Sequence, residues 1–474
     1  MVFSSVTFLF LFLPLFLAVY YALPFRFRSA WILLASWVFY GWWRVDFLLI
    51  LIGSSIMAWL VGRQIERLRA GNPRGAAAWR AAGVTIALLV LGYFKYFNFG
   101  VDTLSSLLSR FGLPEIRVLR VVLPVGISFF TFQIISYIVD VYRGTAPVAR
   151  TFMDAAAYVS LFPQLVAGPI VRYSQVALQF REREHSWDSF SQGSVRFVIG
   201  LARKVLIADA VAPLADAAFG LSAPGPIAAW IGVLAYSVQI YFDFAAYSDM
   251  AIGMGRMLGF TFPENFNMPY ASASITEFWR RWHMTLSSWL RDYLYIPLGG
   301  SRRNPSRTIV NLMLVMVLGG LWHGAAWSFL LWGAWHGAWL VGERLLFGAK
   351  ARERGGIVAR VVTLSAVLLG WVLFRAESLS GAVTFVAGMV GLGGAGTDSS
   401  FVWLLSPGAI AALAIGVSII VAEPVLTHIR RESPVTASPS WTAVAAGVLL
   451  VGILVLSVLR VAASSYSPFL YFQF

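Results

Sequence analysis

The 474-residue chain is 59% hydrophobic and only 12% charged, about half the charged share of a soluble domain; the composition excludes a string of soluble domains and points to one polytopic membrane unit. Its formal charge of +14 comes largely from arginines at the ends of apolar runs, where they set topology and meet lipid headgroups, so membrane lipid, and not nucleic acid, is the expected partner. There is no cysteine, which rules out a thiol nucleophile, a disulfide framework and a Cys-ligated metal.

A crossing helix needs about 20 mostly apolar residues. The first third offers 4–23, 29–43, 47–62, 82–100 and 121–141. The start lacks the basic n-region and small-residue cleavage site of a signal peptide and reads as a retained first span. Arg63, Arg67, Arg69, Arg74 and Arg80 stand against one acid, Glu66, which places a 63–80 loop in the cytoplasm. The Arg26/Arg28 turn then also lies inside, and the N-terminus outside. Residues 154–167 are too short to cross and end in Gly168-Pro169, which suits a re-entrant helix covered by protein. The aromatic and basic 172–204 segment suits a cytoplasmic interfacial helix. The spans 205–221, 226–245, 308–323, 327–346, 357–374, 401–422 and 441–461 follow, with a basic loop at 350–354 inside and the C-terminus outside. The expected fold is therefore all-α, with about 11–12 crossing helices by the ~20-residue rule. It forms one integral unit over 1–474: N-terminal helices (1–145), a re-entrant, interfacial and catalytic core (146–345) and C-terminal helices (346–474).

Three of the five histidines fall between 276 and 337. His323 ends the apolar run NLMLVMVLGGLWH, beside Gly319, Gly320 and Gly324. An imidazole at membrane depth must find partners or water and is suited to moving protons near neutral pH; the small neighbours leave room for a substrate, and helix packing is the plainer alternative. His283 lies in FWRRWHMTLSSWLRDY, where helical spacing puts Trp279, His283, Leu286 and Leu290 on one face. Arg280, Arg281 and Arg291 nearby suit a phosphorylated ligand or an interfacial anchor. His336, in WGAWHGAWL, reads as support for the site, with Trp322 beside His323 in the same role. His185 reads as a solvated loop residue and His428 as a helix-end residue. Asp243 and Asp249, beside an apolar span, need a partner, a proton or water, and structural pairing with an arginine is favoured over orienting a histidine. FPENFNMPY reads as a fixed turn. No phosphate loop, zinc HExxH motif or GxSxG elbow occurs, and the histidine spacings make no convincing metal site.

At these residues the chain resembles the membrane-bound O-acyltransferase family, in its bacterial branch that acetylates alginate. The matching segments are PVGISFFTFQIISYIVDVYRG (124–144), LFPQLVAGPIVRY (161–173), YSVQIYFDFAAYSDMAIGMGRMLGFTFPENFNMPY (236–270), FWRRWHMTLSSWLRDYLYIPLGG (278–300), GLWHGAAWSFLLWGAWHG (320–337), WVLFRAES (371–378) and the tail SPFLYFQF (467–474). The resemblance implies a helical bundle around a central tunnel. It also implies acetyl-CoA, or another acyl carrier, as a donor substrate reaching it from the cytoplasm, with no bound cofactor, and an acceptor arriving from outside. The family's invariant histidine falls on His323 and the branch's second catalytic histidine on His283. Trp279, Arg280 and Arg281 are the donor-binding expectation; His336, Asp243, Asp249 and Trp322 support the site. The implied protein is an inner-membrane O-acetyltransferase working with periplasmic acetyltransferase partners on a polysaccharide, alginate first. Cellulose, peptidoglycan, another exopolysaccharide or teichoic-acid D-alanylation are alternatives within the class, and a proton-coupled transporter is the alternative outside it.

Overall fold

In the computed structural model, residues 1–114, 116, 118–348, 355–393, 399–432, 440–463 and 470 are described. The basic loop expected at 350–354, the His428 side chain and all of the 467–474 tail except Leu470 lie outside the described residues. Every regular element among the described residues is helical. In chain order these are α1 (Leu13–Ala22, after a π-helical turn Phe8–Phe12), α2 (Phe25–Gly41), α3 (Val45–Arg69), α4 (Pro73–Arg110), α5 (Ile127–Arg143), α6 (Phe152–Ser160), α7 (Phe162–Leu165), α8 (Tyr173–Val176), α9 (Trp187–Ala202) and α10 (Asp209–Gly220). There follow α11 (Pro226–Met257), α12 (Ile275–Arg281), α13 (Met284–Leu290), α14 (Pro305–His323), α15 (Trp327–Phe347), α16 (Ile357–Arg375), α17 (Leu379–Met389), α18 (Ser399–Leu404), α19 (Pro407–Glu432) and α20 (Ser440–Ala463).

Seven described helices are long and apolar enough to cross a bilayer: α3, α4, α11, α14, α16, and the parts Pro407–Val425 of α19 and Val444–Ala463 of α20. The chain is an all-α, multi-pass membrane protein. The other expected crossings fall on helices that are shorter or more polar. α2 and α5 have 17 residues each, and α15 carries Glu343 and Arg344 in its last turns. The expected 63–80 loop is mostly helix. α3 runs on to Arg69, and α4 begins at Pro73 behind Asn72, whose Oδ1 accepts the Gly75 N–H at 2.9 Å. An Asn cap followed by proline at the first helical position starts a helix. Asn304 and Pro305 start α14 in the same way.

The chain divides into two compact units, one of residues 1–194 with 251–263, the other of 195–250 with 264–474. In the first, α3, α4 and α5 pack together, and α5 is buried along nearly its whole length. The expected re-entrant segment falls on α6 and α7, broken at Leu161 and buried from Ala155 onward. Ser36 Oγ of α2 accepts the Phe162 N–H at the break (3.1 Å), so this irregular backbone keeps its donors satisfied away from water. His185 lies in a loop, as expected, but is only partly exposed: its Nε2 lies 2.9 Å from the Tyr20 hydroxyl and its ring packs against Tyr21 and Phe25. Burial, and then the Arg28 and Arg183 charges, hold its imidazole pKa below the ordinary value.

In the second unit, α9's last part, a π-helical turn (Arg203–Ala208) and α10 follow one another without a break, so the 205–221 span is the continuation of the interfacial helix. α14 and α15 form a tight helical pair. A Cβ on Gly320 would lie 2.2 Å from the Phe329 carbonyl oxygen, and one on Gly324 would lie 2.0 Å from the Phe329 ring. Gly320 and Gly324 thus admit α15 and Phe329 by close helix approach, whereas a Cβ on Gly319 would meet only Leu290, at 3.4 Å.

Candidate active site

The second unit gathers His283, His323 and His336 into one aromatic cluster. His323 is the last residue of α14 and is 4% exposed. Its ring meets Trp322 at 4.9 Å, Trp332 at 5.0 Å and Phe374 at 5.4 Å, all edge to face. Trp322 also meets His283 at 5.9 Å. The two steps through Trp322 bound the imidazole centres of His283 and His323 within about 11 Å of each other. His336 is fully buried on α15, 5.1 Å from Trp332 and 5.3 Å from Trp279. Trp332 is the hub, touching both His323 and His336. The aromatic pairs fix ring orientation and contribute about 0.5–1.5 kcal/mol each beyond area.

His283 does not continue one helix with Trp279. The chain breaks at Trp282, and His283 takes φ 41°, ψ 56° between α12 and α13. A left-handed conformation in a non-glycine residue is uncommon and persists where the surroundings dictate it. Here the FPENFN loop dictates it. The Asn265 carbonyl accepts the Met284 N–H (2.9 Å), Asn265 Oδ1 accepts the Thr285 N–H and Oγ1–H (3.3 and 2.9 Å), and the Asn267 N–H donates to the Arg281 carbonyl (2.9 Å). The first donors of α13 are thereby satisfied, and His283 is turned against Phe244 of α11, ring to ring at 4.6 Å. The segment read as a fixed turn is the clamp for the second histidine.

A cavity of ≈ 570 Å³ opens beside the cluster, lined by Trp279, Arg280, Arg291, Arg344 and the hydroxyls of Ser287, Ser288 and Thr308, among others. Trp279 is the link, since its ring also meets Trp332 at 5.6 Å. Three guanidinium groups with hydroxyls between them suit a ligand carrying several phosphate oxygens. Arg281 is not among the lining residues. It pairs with Glu277 at 2.7 Å and donates to the Asn267 carbonyl, on the side of α12 that meets the loop. α12 is itself capped from α15: Glu343 accepts the Ile275 and Thr276 N–H groups (2.6 and 2.9 Å) and the Thr276 hydroxyl (2.7 Å), with a carboxylate where the helix dipole favours one. Arg344 and Glu343 escaped the sequence reading; a Glu-Arg pair near the end of an otherwise apolar helix was the available signal.

The two aspartates stand apart from the histidines as ion-pair partners. Asp243 is 2.5 Å from Lys204. Asp249 takes Arg196 and Arg203 (2.8 and 2.9 Å), with Glu264 also on Arg196 (2.6 Å); these groups border a second cavity of ≈ 350 Å³. Both aspartates are ion-paired, Asp249 with arginines and Asp243 with a lysine where an arginine was expected. Among the described residues no group of three His, Asp or Glu side chains could hold a metal ion.

Residues 148–378 match the model of the membrane-bound O-acyltransferase family. A probable alginate O-acetylase of Azotobacter vinelandii is 45% identical over the whole of both chains, and one of Pseudomonas putida is likewise 45% identical over both full lengths. A peptidoglycan O-acetyltransferase of Helicobacter pylori is 37% identical over 83% of this chain and 80% of its own. With that identity over both full lengths, the chain belongs to the membrane-bound O-acyltransferase family, in its alginate O-acetylase-like branch.

Proposed function

We propose that this O-acyltransferase takes an acetyl group from cytoplasmic acetyl-CoA and passes it across the inner membrane of a bacterium for O-acetylation of an extracytoplasmic polysaccharide, alginate. The observation that carries the proposal is the arginine-lined cavity separated from His323 by Trp279 and Trp332, both of whose rings the cluster shares. The end-to-end match to alginate O-acetylases supports the polymer. Arg280, Arg291 and Arg344 meet the phosphates of acetyl-CoA, and Arg281 keeps α12 on its loop. His323 removes the proton of the acceptor hydroxyl; the oxygen attacks the thioester carbonyl; the tetrahedral oxyanion is stabilised by His283 or a neighbouring donor; the thiolate leaves and the proton returns to it from His323. A transient acyl-histidine makes the same demand on His323. His336 and Trp322 hold the aromatic frame, and Asp243 and Asp249 hold α11. A polymer cannot thread a bilayer tunnel, so a periplasmic acetyltransferase partner places the group on the chain. The arginine-rich 63–80 region faces the cytoplasm and both termini face the periplasm.

Labelled acetyl-CoA given to the purified protein in vesicles tests this. Wild type is expected to cleave the thioester and pass the label to an acceptor. His323→Ala is expected to lose at least about 10²-fold, the lower end of general-base contributions, while staying folded and inserted. Retained activity in His323→Ala removes that residue from the mechanism, and substrate flux without thioester cleavage makes the protein a transporter. The peptidoglycan acetyltransferase relative supports a second acceptor; peptidoglycan labelled in preference to alginate would establish it.

A further inference from the structure

The chain holds a buried ionic junction that takes no direct part in the proposed proton or acyl transfer. Lys204 Nζ, with its side chain 2% exposed, lies 2.7 Å from Asp209 Oδ1 and 2.5 Å from Asp243 Oδ1, and the Asp243 side chain is equally buried. Lys204 and Asp209 are five residues apart. On an α-helix, at about 100° per residue, they would point some 140° away from each other. The π-helical turn at 203–208 closes that angle: the Asp209 N–H bonds the Lys204 carbonyl, which stacks the two side chains. Insertions of this kind concentrate at functional sites.

The second carboxylate oxygen of Asp243 accepts the backbone N–H of Leu470 at 2.8 Å, and Leu470 is itself buried. A residue 227 positions away and four from the chain end thus donates into the middle of α11. An ion pair taken out of water is held well only when its remaining lone pairs are also satisfied, and Leu470 supplies that donor. Asp243 directly precedes Phe244, the ring that lies edge-on against His283 at 4.6 Å. One bond from the π turn and one from the chain end therefore fix α11 at the residue beside the wall of the second histidine.

We propose that the Leu470 backbone amide and the Lys204–Asp243 pair form a positioning device for His283: they set α11, and through Phe244 the imidazole, without touching substrate. Misplacing a catalytic group by about 1 Å can cost about 10²-fold in rate. The inference rests on the proposed acetyl transfer. In the full-length protein, Leu470→Pro removes the N–H, and Leu470→Ala keeps it. Leu470→Pro is expected to lower kcat at least tenfold with KM for acetyl-CoA within twofold, and Leu470→Ala to keep more than half of wild-type kcat. In an Asp243→Leu background, Leu470→Pro is expected to cause no further loss, because both changes break one bond. Should Leu470→Pro fail to reach the membrane, the Lys204→Met/Asp243→Leu double variant reads the same junction, and at least a tenfold fall in kcat is expected. Wild-type turnover in Leu470→Pro or in the double variant, or an equal further loss in the Asp243→Leu background, overturns the inference. A wild-type protein that transfers no acetyl group overturns the proposed function instead.

Discussion

Gly370 on α16 is the residue against which His336 is seated, and adding one carbon there has a calculable effect. A Cβ at Gly370 would stand 2.8 Å from His336 Nε2 and 3.4 Å from Trp335 Cδ1. The imidazole cannot swing aside freely, because Phe278, Trp279 and Trp332 pack on it at 6.2, 5.3 and 5.1 Å. Overpacking of this kind costs about 1–3 kcal/mol. Alanine in place of glycine inside a helix returns about 0.8–1 kcal/mol. Gly370→Ala in the wild type is therefore expected to destabilise by about 0–2 kcal/mol as the difference of those two effects. In a His336→Ala background the clash is gone and the helix gain remains, so the same substitution is expected to stabilise by about 1 kcal/mol. Thermal unfolding of the four proteins in one detergent measures the cycle. A coupling near zero, with Gly370→Ala changing stability equally in both backgrounds, refutes the seating of His336 against α16.

Arg280→Ala is expected to raise KM for acetyl-CoA tenfold or more, from the ~1.5–3 kcal/mol of a charge-assisted hydrogen bond, whereas Arg281→Ala leaves KM within about twofold and costs only the ~0.2–1 kcal/mol of a surface pair; steady-state kinetics on both variants checks this. Asn265→Ala strips the acceptor from the Thr285 amide and hydroxyl, about 1–3 kcal/mol for each stranded group, and is expected to lower kcat more than it changes KM as His283 leaves its left-handed conformation. Glu343→Ala is expected to cost at least about 2 kcal/mol and to raise amide hydrogen exchange at 275–281, where α12 loses its cap, with α14 unchanged.

Much of the fold was legible because its signals are local. Apolar runs of sufficient length mark α3, α11, α14 and α16, whereas the Asn-Pro pairs at which α4 and α14 begin went unread, so both helices start earlier than expected. That α6 and α7 are short and do not form one crossing helix could be read from the segment's length and from Gly168-Pro169. What failed to show depends on contacts distant in sequence. The break at Trp282–His283 comes from Asn265, which is 18 residues earlier and reads only as a turn former. The 63–80 arginines looked like a loop because positive charge marks the cytoplasmic side, yet helices extend past the bilayer into water and carry their arginines with them. His323 and His336 were picked out by being polar in apolar sequence, and His283 by its place in an aromatic, basic segment. That Trp332 joins His323 to His336, and that Arg344 faces the same cavity as Arg280, required the α14–α15 pairing, which the glycines permit and periodicity cannot express.

The rings around His323 also bear on a competing reaction. Water is the smallest acceptor an acyltransferase meets, and a base poised beside a thioester would spend the donor on hydrolysis. With His323 4% exposed between Trp322, Trp332 and Phe374, bulk water has little access, and exclusion of this kind suppresses side reactions. Thinning that wall, by Phe374→Ala for instance, opens a route toward a thioesterase. Under the proposed mechanism, fidelity to the acceptor resides in the aromatic residues as much as in the histidines to which the proton transfer is assigned.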